Sequence, residues 1–289
     1  MVSVWMITYN HEKYVKHALD SVLFQDINFN IEIVIGDDNS TDNTKNIILE
    51  YKNKYPKIIK PHFNEENKGM MANMIETLNR CKGKYIALLE GDDYWTDNKK
   101  LKQQIKILDQ NRSISFCFHN ALIVYENSNK IPHPFTNIKK GLYSGDQILN
   151  EWIVPTASVV FPNQKIDWPD FSYELVHGDI FLFLLLLEKG PAFFIDKQLS
   201  AYRKNDNSIT NVNKLNPSYI SKIIKQLRHT NRYFNYKYDK IIKDKLIYWQ
   251  LAHLNALESN KLYLSFVKYF IYYFIKDPIF YLKKIKAKI

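Results

Sequence analysis

The chain has 289 residues, of which 46% are hydrophobic and 15% aromatic, enough for a sizeable core, and its two cysteines, Cys81 and Cys117, fit neither a disulfide framework nor a zinc spacing. The formal net charge of +10 is uneven: residues 214–289 carry 16 Lys/Arg against 4 Asp/Glu, while residues 1–213 carry 24 against 26. That balance describes a near-neutral working domain with a basic attachment surface.

The chain opens in "VSVWMITYN", a strand pattern with no charged leader, so no signal peptide is expected. "HEKYVKHALDSVLFQ" has helical spacing through Tyr14, Ala18, Val22 and Leu23, and "IEIVIG" reads as a second strand. Ser40 and Thr41 should open a helix running to about Lys54, with Asp42 in its first turn. "KIIKPHF" is a third strand, "GMMANMIETLNRC" a third helix and "KYIALLE" a fourth strand. Strand–helix alternation with apolar strands implies an α/β fold whose mostly parallel sheet is flanked by helices. In such sheets ligands bind beyond the carboxyl ends of the strands.

The pattern then loosens. "NKKLKQQIKILDQN" is helical, "SISFCFHNALIVYE" a strand pair or one long strand, and residues 127–140 a polar loop. "TASVVF" reads as a short strand, and "GDIFLFLLLLEKG" as a buried helix ended by Gly190 and Pro191. "AFFIDKQLSAYRKNDNSIT" gives a strand followed by a loop, and from Pro217 the chain is helical, basic and aromatic. The longest apolar runs, 181–187 and 262–275, fall short of the roughly 20 residues needed to cross a bilayer.

"LLEGDDYW" places Glu90, Asp92 and Asp93 directly behind an apolar strand. Carboxylates so close repel one another unless a cation joins them, and Mg²⁺-like ions take one or two carboxylates plus substrate phosphates. Read alone, the stretch is also consistent with a solvated acidic turn. "IGDDNSTDNT" repeats the arrangement with Asp37 and Asp38, suited to a ribose hydroxyl or nucleobase. Thr8 and Tyr9 end the first strand, where a ring could stack on a base. Polar groups thus follow three of these four strands.

"TYNHEKYVKHALDSVLFQ", "IGDDNSTDNT", "NKGMMANMIETLNRCKGKYIALLEGDDYW" and "HGDIFLFLLLLEKG" resemble, in order and spacing, the family 2 glycosyltransferases of the GT-A fold, of the type that builds bacterial cell-surface polysaccharides. The resemblance covers roughly residues 1–210. It implies a Rossmann-like GT-A catalytic domain over 1–213, with a nucleotide-binding half to about 100 and an acceptor half beyond. It implies donor contacts from Thr8, Tyr9, Asn10, Asp37 or Asp38, Asn67, Gly69, Asn73, Glu90, Gly91, Asp92 and Arg203. Glu90-Gly91-Asp92 stands for the DxD element, with Asp92 and Asp93 as ligands of Mn²⁺ or Mg²⁺ and Arg203 meeting phosphate. Asp179 of "HGDIF" is the implied general base of an inverting transfer from a nucleotide-sugar, by family habit a UDP-sugar; without the resemblance it reads first as a helix N-cap. Trp95, Trp152, His177 and Gly178 are weaker candidates for the acceptor side. Asn205 stands where the family often has His. The acceptor expected is a glycan or a lipid-linked glycan.

Residues 214–289 form a basic helical extension, and 262–289 mix Tyr, Phe, Ile and Leu with Lys268, Lys276, Lys283, Lys284, Lys286 and Lys288. Such mixtures favour an anionic membrane surface. The chain is therefore expected in the cytoplasm, peripheral on the inner face of the membrane, without nucleic acid and open to homo-oligomerisation. A packed helical subdomain is the plainer reading of the extension. A non-catalytic, membrane-associated nucleotide-sugar-binding module is the rival function.

Overall fold

The computed structural model describes residues 1–126, 128–204, 213, 215–276 and 278. The expectations for Asn205 and for Lys283, Lys284, Lys286 and Lys288 lie outside the described residues. The chain divides into two compact units: Met1–Tyr173 with Gly178–Asp206, and Glu174–His177 with Asn207–Ile289.

The first unit is built on a sheet whose opening half is parallel. Strands β1 (Val2–Thr8), β2 (Ile31–Asp37), β3 (Ile59–Phe63) and β4 (Tyr85–Leu88) lie in the order β3-β2-β1-β4. Every residue of β1 and β4 is buried, as apolar strands covered on both faces require. Helices α1 (Val15–Leu23), α2 (Thr44–Lys54) and α3 (Met70–Asn79) supply the cover, and α1 buries Val15, Ala18, Leu19 and Val22. Trp5 fixes α3 to β1 by donating its indole N–H to the Met74 carbonyl at 3.1 Å.

Helix α2 begins at Thr44, later than the sequence suggests. Asp42 stays outside it: one carboxylate oxygen accepts Thr44 N at 2.9 Å and the other accepts Glu12 N at 3.0 Å. The side chain therefore closes the turn instead of sitting in the helix.

Beyond β4 the sheet is mixed. After β5 (Tyr94–Trp95) and α4 (Lys100–Gln110) comes β6 (Phe116–Tyr125), one long strand. Within the expected loop 127–140, β7 (His133–Pro134) pairs back onto β6. Next come β8 (Gly141–Tyr143), α5 (Gly145–Asn150) and β9 (Val160–Pro162). Of "TASVVF" only the end is strand; Thr156–Ser158 form a 3₁₀ turn, with Ser158 bonding back to the Pro155 carbonyl through both its backbone N–H and its hydroxyl. Helix α6 (Gly178–Leu187) is buried over most of its surface, and β10 (Ala192–Lys204) closes the sheet parallel to β6 and antiparallel to β5. The full order is β3-β2-β1-β4-β9-β6-β10-β5. Cys81 and Cys117 are buried and unpaired, and burial pushes both thiols up to about 12.

The second unit is helical: α7 (Pro217–Tyr233), α8 (Asp239–Ser259) and α9 (Tyr263–Lys276). Asn216 caps α7 by accepting Ser218 N and Tyr219 N, with Pro217 at the first helical position. Ile220, Ile224, Leu254, Ala256 and Tyr273 form its core, flanked by aromatic rings of α9, and His253 bonds the Tyr273 hydroxyl at 2.7 Å. The segment Glu174–His177 joins this unit through Gln226, whose side-chain oxygen accepts Val176 N and His177 N. Among the described residues no helix is long and apolar enough to cross a membrane.

Candidate active site

The parallel half places the carboxyl ends of four strands at one edge. The β1 and β2 ends are laced together: Asp38 N donates to Thr8 O, Asn10 N to Ser40 Oγ at 2.9 Å, and Thr41 N to Asn10 Oδ1 at 2.8 Å. Asn10 adopts φ +56°, a left-handed turn that asparagine tolerates. Tyr9 is left 44% exposed beside it.

Asp37 is buried and closes its own turn, accepting Ser40 N at 3.1 Å and Ser40 Oγ at 2.5 Å; burial raises its carboxyl above the ordinary value while the Ser40 bonds pull it back. Asp38 reaches the loop after β3, accepting Asn64 Nδ2 at 2.8 Å, Lys68 N at 2.9 Å and Gly69 N at 2.9 Å. Gly69 stands at φ +87°, which a side chain would resist, and that conformation aims its N–H at Asp38. Asn67 supports the same turn through Gly69 N. The two aspartates therefore organise a polar rim around the strand ends.

The acidic stretch lies against this rim. Gly91 N donates to Ile7 O, drawing the Glu90–Asp93 turn over β1. A Cβ at Gly91 would come within 2.9 Å of Thr8 Oγ1 and 3.0 Å of His11 Nδ1, so only glycine permits this approach. Among the described residues both of those atoms are buried without a hydrogen-bond partner. Asp92 is half-buried with its carboxylate 3.9 Å from His11 Nε2.

Asp179, at the start of α6, joins this group from the far side of the sequence. It accepts Thr156 Oγ1 at 3.1 Å and stays partly exposed. Burial, then Asp92, Asp93 and Asp179, push the Glu90 carboxyl well above its ordinary value. Burial and the same carboxylates together with Glu90 raise the Tyr202 hydroxyl on β10. Five titratable groups thus share one field with too little positive charge inside it.

Arg203 supplies what positive charge there is, but as a brace. Its backbone N–H donates to Asp93 at 2.8 Å, Nη1 to the Asp92 carbonyl at 2.6 Å, and Nη2 to His17 Nδ1 at 2.7 Å. Nε faces Glu126 at 3.5 Å, and the guanidinium lies 4.4 Å from the Tyr94 ring centroid and 5.3 Å from that of Tyr14. Tyr14 in turn donates to Glu126 at 2.5 Å.

A sequence profile of glycosyl transferase family 2 matches residues 3–162, more than half of the chain. The chain belongs to glycosyl transferase family 2. An uncharacterized protein of Mycobacterium tuberculosis is 34% identical over 209 residues, covering 72% of this chain and 60% of that protein. The chain thus matches somewhat under two thirds of that relative's length. WfgD of Escherichia coli, described as a UDP-Glc:alpha-D-GlcNAc-diphosphoundecaprenol beta-1,3-glucosyltransferase, is 32% identical over 73% of this chain and 79% of its own. The mannosyltransferase PcManGT of Pyrobaculum calidifontis, solved with GDP-Man and Mn²⁺, aligns with a TM-score of 0.60 at 14% identity, covering 91% of this chain and 74% of its own. That likeness shows a shared fold, the GT-A arrangement of a sheet flanked by helices.

Against this family 2 frame, several sequence-derived roles need correcting. Arg203 is 9% exposed, and its guanidinium is already occupied by Asp92 O, His17 and Glu126, so it is not free to clasp phosphate with both amino groups. Asp93 is buried and bonded to Arg203 N, which ties β10 to the turn and leaves Asp92 as the accessible carboxylate of the pair. Asn73 is buried in α3 and donates to Gly36 O, holding β2 from behind. Trp95 is buried with its indole N–H on Ala157 O and cannot be a sugar platform, whereas Trp152 is 47% exposed. His177 belongs to the second unit, and Gly178 packs so close to Met71 that a Cβ would lie 2.2 Å from its sulfur.

Sequence reasoning missed Asn64, Tyr202, His11 and the His17–Glu126–Tyr14 group. Asn64 carried a usable signal, since it follows the third strand as Asp38 follows the second. The others had none: His11 meets Gly91 and Asp92 only because β4 lies beside β1, and Tyr202 and the His17–Glu126–Tyr14 group meet the site only once β6 and β10 have returned to it.

Among the described residues no cluster of three or more His, Cys, Asp or Glu is arranged as a complete metal cage. The donor set still suits a hard divalent ion. Asp92 offers one accessible carboxylate, Glu90 is left uncompensated, and ions such as Mg²⁺ complete their shell with water and substrate phosphate.

Proposed function

We propose that the chain is an inverting glycosyltransferase that moves a sugar from a nucleotide-sugar, in first place a UDP-sugar, to a hydroxyl of a glycan or lipid-linked glycan during cell-envelope polysaccharide synthesis. Family membership supports the class of reaction, and the relative WfgD supports both the UDP donor and a lipid-linked acceptor. One observation carries the reading for this chain: Asp179, held by Thr156 at the start of α6, acts with Asp92 and Asp93 on the Glu90 carboxyl and with all three on the Tyr202 hydroxyl, although α6 lies far from β4 in sequence.

Tyr9, Asn10, Thr8 and the Asp37–Asp38 pair line the place for the nucleoside, with Asn67 and Gly69 on its rim. Glu90 and Gly91 face the sugar–diphosphate junction. Asp179 takes the proton of the acceptor hydroxyl; that oxygen bonds to the anomeric carbon from one side while the bond to the diphosphate oxygen breaks on the other, and the nucleoside diphosphate leaves. Thr156 Oγ1 holds one oxygen of the Asp179 carboxylate at 3.1 Å and Ile180 N the other at 2.9 Å, which fixes its orientation. A divalent ion, Mn²⁺ or Mg²⁺, held by Asp92 would neutralise charge on the departing diphosphate. Trp152 remains the candidate platform on the acceptor side. The basic, apolar helix α9 supports a peripheral position on an anionic membrane, at the cytoplasmic face where nucleotide-sugars are found.

The test begins with thermal shifts against UDP, GDP, dTDP and CMP, each with and without Mn²⁺, since a ligand of the native state raises the melting temperature. With the donor so found, Asp179→Asn should lower transfer by about 10²–10⁴-fold, the usual share of a general base, while the nucleotide-induced shift stays unchanged. Full-rate transfer by Asp179→Asn would remove Asp179 from the mechanism.

A further inference from the structure

The second unit holds a cavity of about 370 Å³ that the transfer chemistry does not use. One wall is helix α7, from which Lys225, Arg228, His229 and Arg232 face inward; the other is α9, with Tyr269 and Tyr272 among its lining. Arg228 donates to the Tyr272 hydroxyl at 3.1 Å and stacks on its ring at 5.4 Å. Lys225 pairs with the exposed Glu174, but among the described residues no carboxylate pairs with Arg228 or Arg232. His229 is held below its ordinary value by burial and then by Lys225 and Arg232, with Glu174 opposing. The cavity is therefore short of negative charge, and an oxyanion suits it: two guanidinium groups present planar forks that match phosphate oxygens.

Helix α9 says which phosphate. Its inner face packs Phe266, Tyr269, Phe270 and Tyr273 into the core of the unit. Its outer face leaves Leu264 91%, Val267 55%, Ile271 51% and Ile275 71% exposed, an apolar stripe at three- and four-residue spacing. At about 100° per residue, Lys268 and Tyr272 fall at the border of that stripe, between it and the cavity. The 14-residue helix is about 21 Å long, too short to span a bilayer but suited to lie in its surface. A free anion leaves the stripe in water. A second copy of the chain would bring another strongly basic C-terminal region against this one.

We propose that this cavity receives the phosphate of an anionic phospholipid headgroup while the Leu264–Ile275 stripe rests among the acyl chains. The inference deepens the peripheral-membrane part of the proposed function and does not depend on the transfer chemistry.

The test is co-sedimentation of the full chain with phosphatidylglycerol–phosphatidylcholine vesicles and with phosphatidylcholine alone. Wild type should bind the mixed vesicles and bind phosphatidylcholine poorly. The double variant Arg228→Gln, Arg232→Gln should bind the mixed vesicles about thirtyfold more weakly, the share of two basic residues near such a surface. Lys57→Gln with Lys106→Gln removes the same charge from the first unit and should change binding little. Equal loss in both double variants would reduce the cavity to a general field effect and overturn the proposal. Arg228→Lys with Arg232→Lys, melting at the wild-type temperature, keeps the charge but not the forks and should bind the mixed vesicles more weakly than wild type and more tightly than the glutamine pair; if the glutamine pair unfolds, this lysine pair decides, and binding equal to wild type would reduce the cavity to general charge and overturn the proposal. Two further outcomes would overturn it: protection of the cavity tyrosines by inorganic phosphate without vesicle binding, or a vesicle-free dimer that Leu264→Ser dissociates. Wild type binding no vesicles at all would remove the membrane reading itself, whereas wild-type binding unaffected by the arginine changes removes only the cavity. Transfer to a soluble acceptor should be unaltered throughout.

Discussion

Arg203→Ala separates a brace from a phosphate grip. The substitution removes two hydrogen bonds from a charged donor, to Asp92 O and to His17, which contribute about 1.5 kcal/mol each at the low end for charged groups. It also removes stacking on Tyr94 and Tyr14, about 0.5–1 kcal/mol apiece for a shielded guanidinium, and leaves Glu126 facing only Tyr14. The sum is about 4 kcal/mol, a large part of the 5–15 kcal/mol that stabilises an ordinary domain. Urea denaturation followed by fluorescence should show a loss of that size, and the melting temperature should fall by about 10 °C. Arg203→Lys should recover less than half of it, because one ammonium cannot reach acceptors on three sides. With the Asp92 carbonyl released, the Mn²⁺-dependent part of the nucleotide shift should also shrink. An Arg203→Ala protein that melts within about 3 °C of wild type, yet binds the donor diphosphate much more weakly, would refute the brace and restore the phosphate contact.

Lys100 is fully buried, its Nζ 4.0 Å from the Trp95 ring centroid and, among the described residues, without a hydrogen-bond partner, and burial brings its pKa down to about 7. The unfolded chain binds that proton up to the ordinary lysine range, so wild-type stability should rise with pH between about 7 and 10. Lys100→Met should abolish that rise and stabilise the protein at pH 7 by about 1–3 kcal/mol in urea titrations; a destabilised variant would show that the ammonium is structurally needed. Glu90 behaves in the opposite sense. Its carboxyl is raised by burial and by Asp92, Asp93 and Asp179, so the metal-free protein should lose stability as pH rises from about 4.5 through the raised value. Glu90→Gln should flatten that decline, and added Mn²⁺ should offset it in wild type; identical pH profiles with and without Glu90 would place it outside the shared field.

The corrections to individual roles follow one rule. Thr8, Asp37, Asp38 and the Glu90–Asp93 turn were legible because each ends an apolar strand or lies within a few residues beyond one, and the strand fixes where those residues emerge. Trp95 and Asn73 were misjudged because aromatic and amide side chains serve buried and exposed positions alike, and only neighbours such as Ala157 O and Gly36 O decide. Asp42 was misplaced by a single turn, where capping and turn-closing chemistry use the same carboxylate.

The sequence by itself determined the alternation of β1 to β4 with their helices, the acidic strand ends, the family and the basic character of the last quarter. Periodicity, turn residues and composition act over a few positions, so a short window carries them whole. Only the tertiary structure decided that Asp179 acts on the Glu90 carboxyl and that Arg203 braces Asp92 instead of reaching outward. It alone placed Glu174–His177 with the helical unit and set Arg228 and Arg232 opposite Tyr272. Each of these joins residues far apart in the chain. Their meeting is fixed by which strands pair and which helix faces pack, β10 returning beside β6 and α9 folding back near α7, and no local pattern encodes that choice.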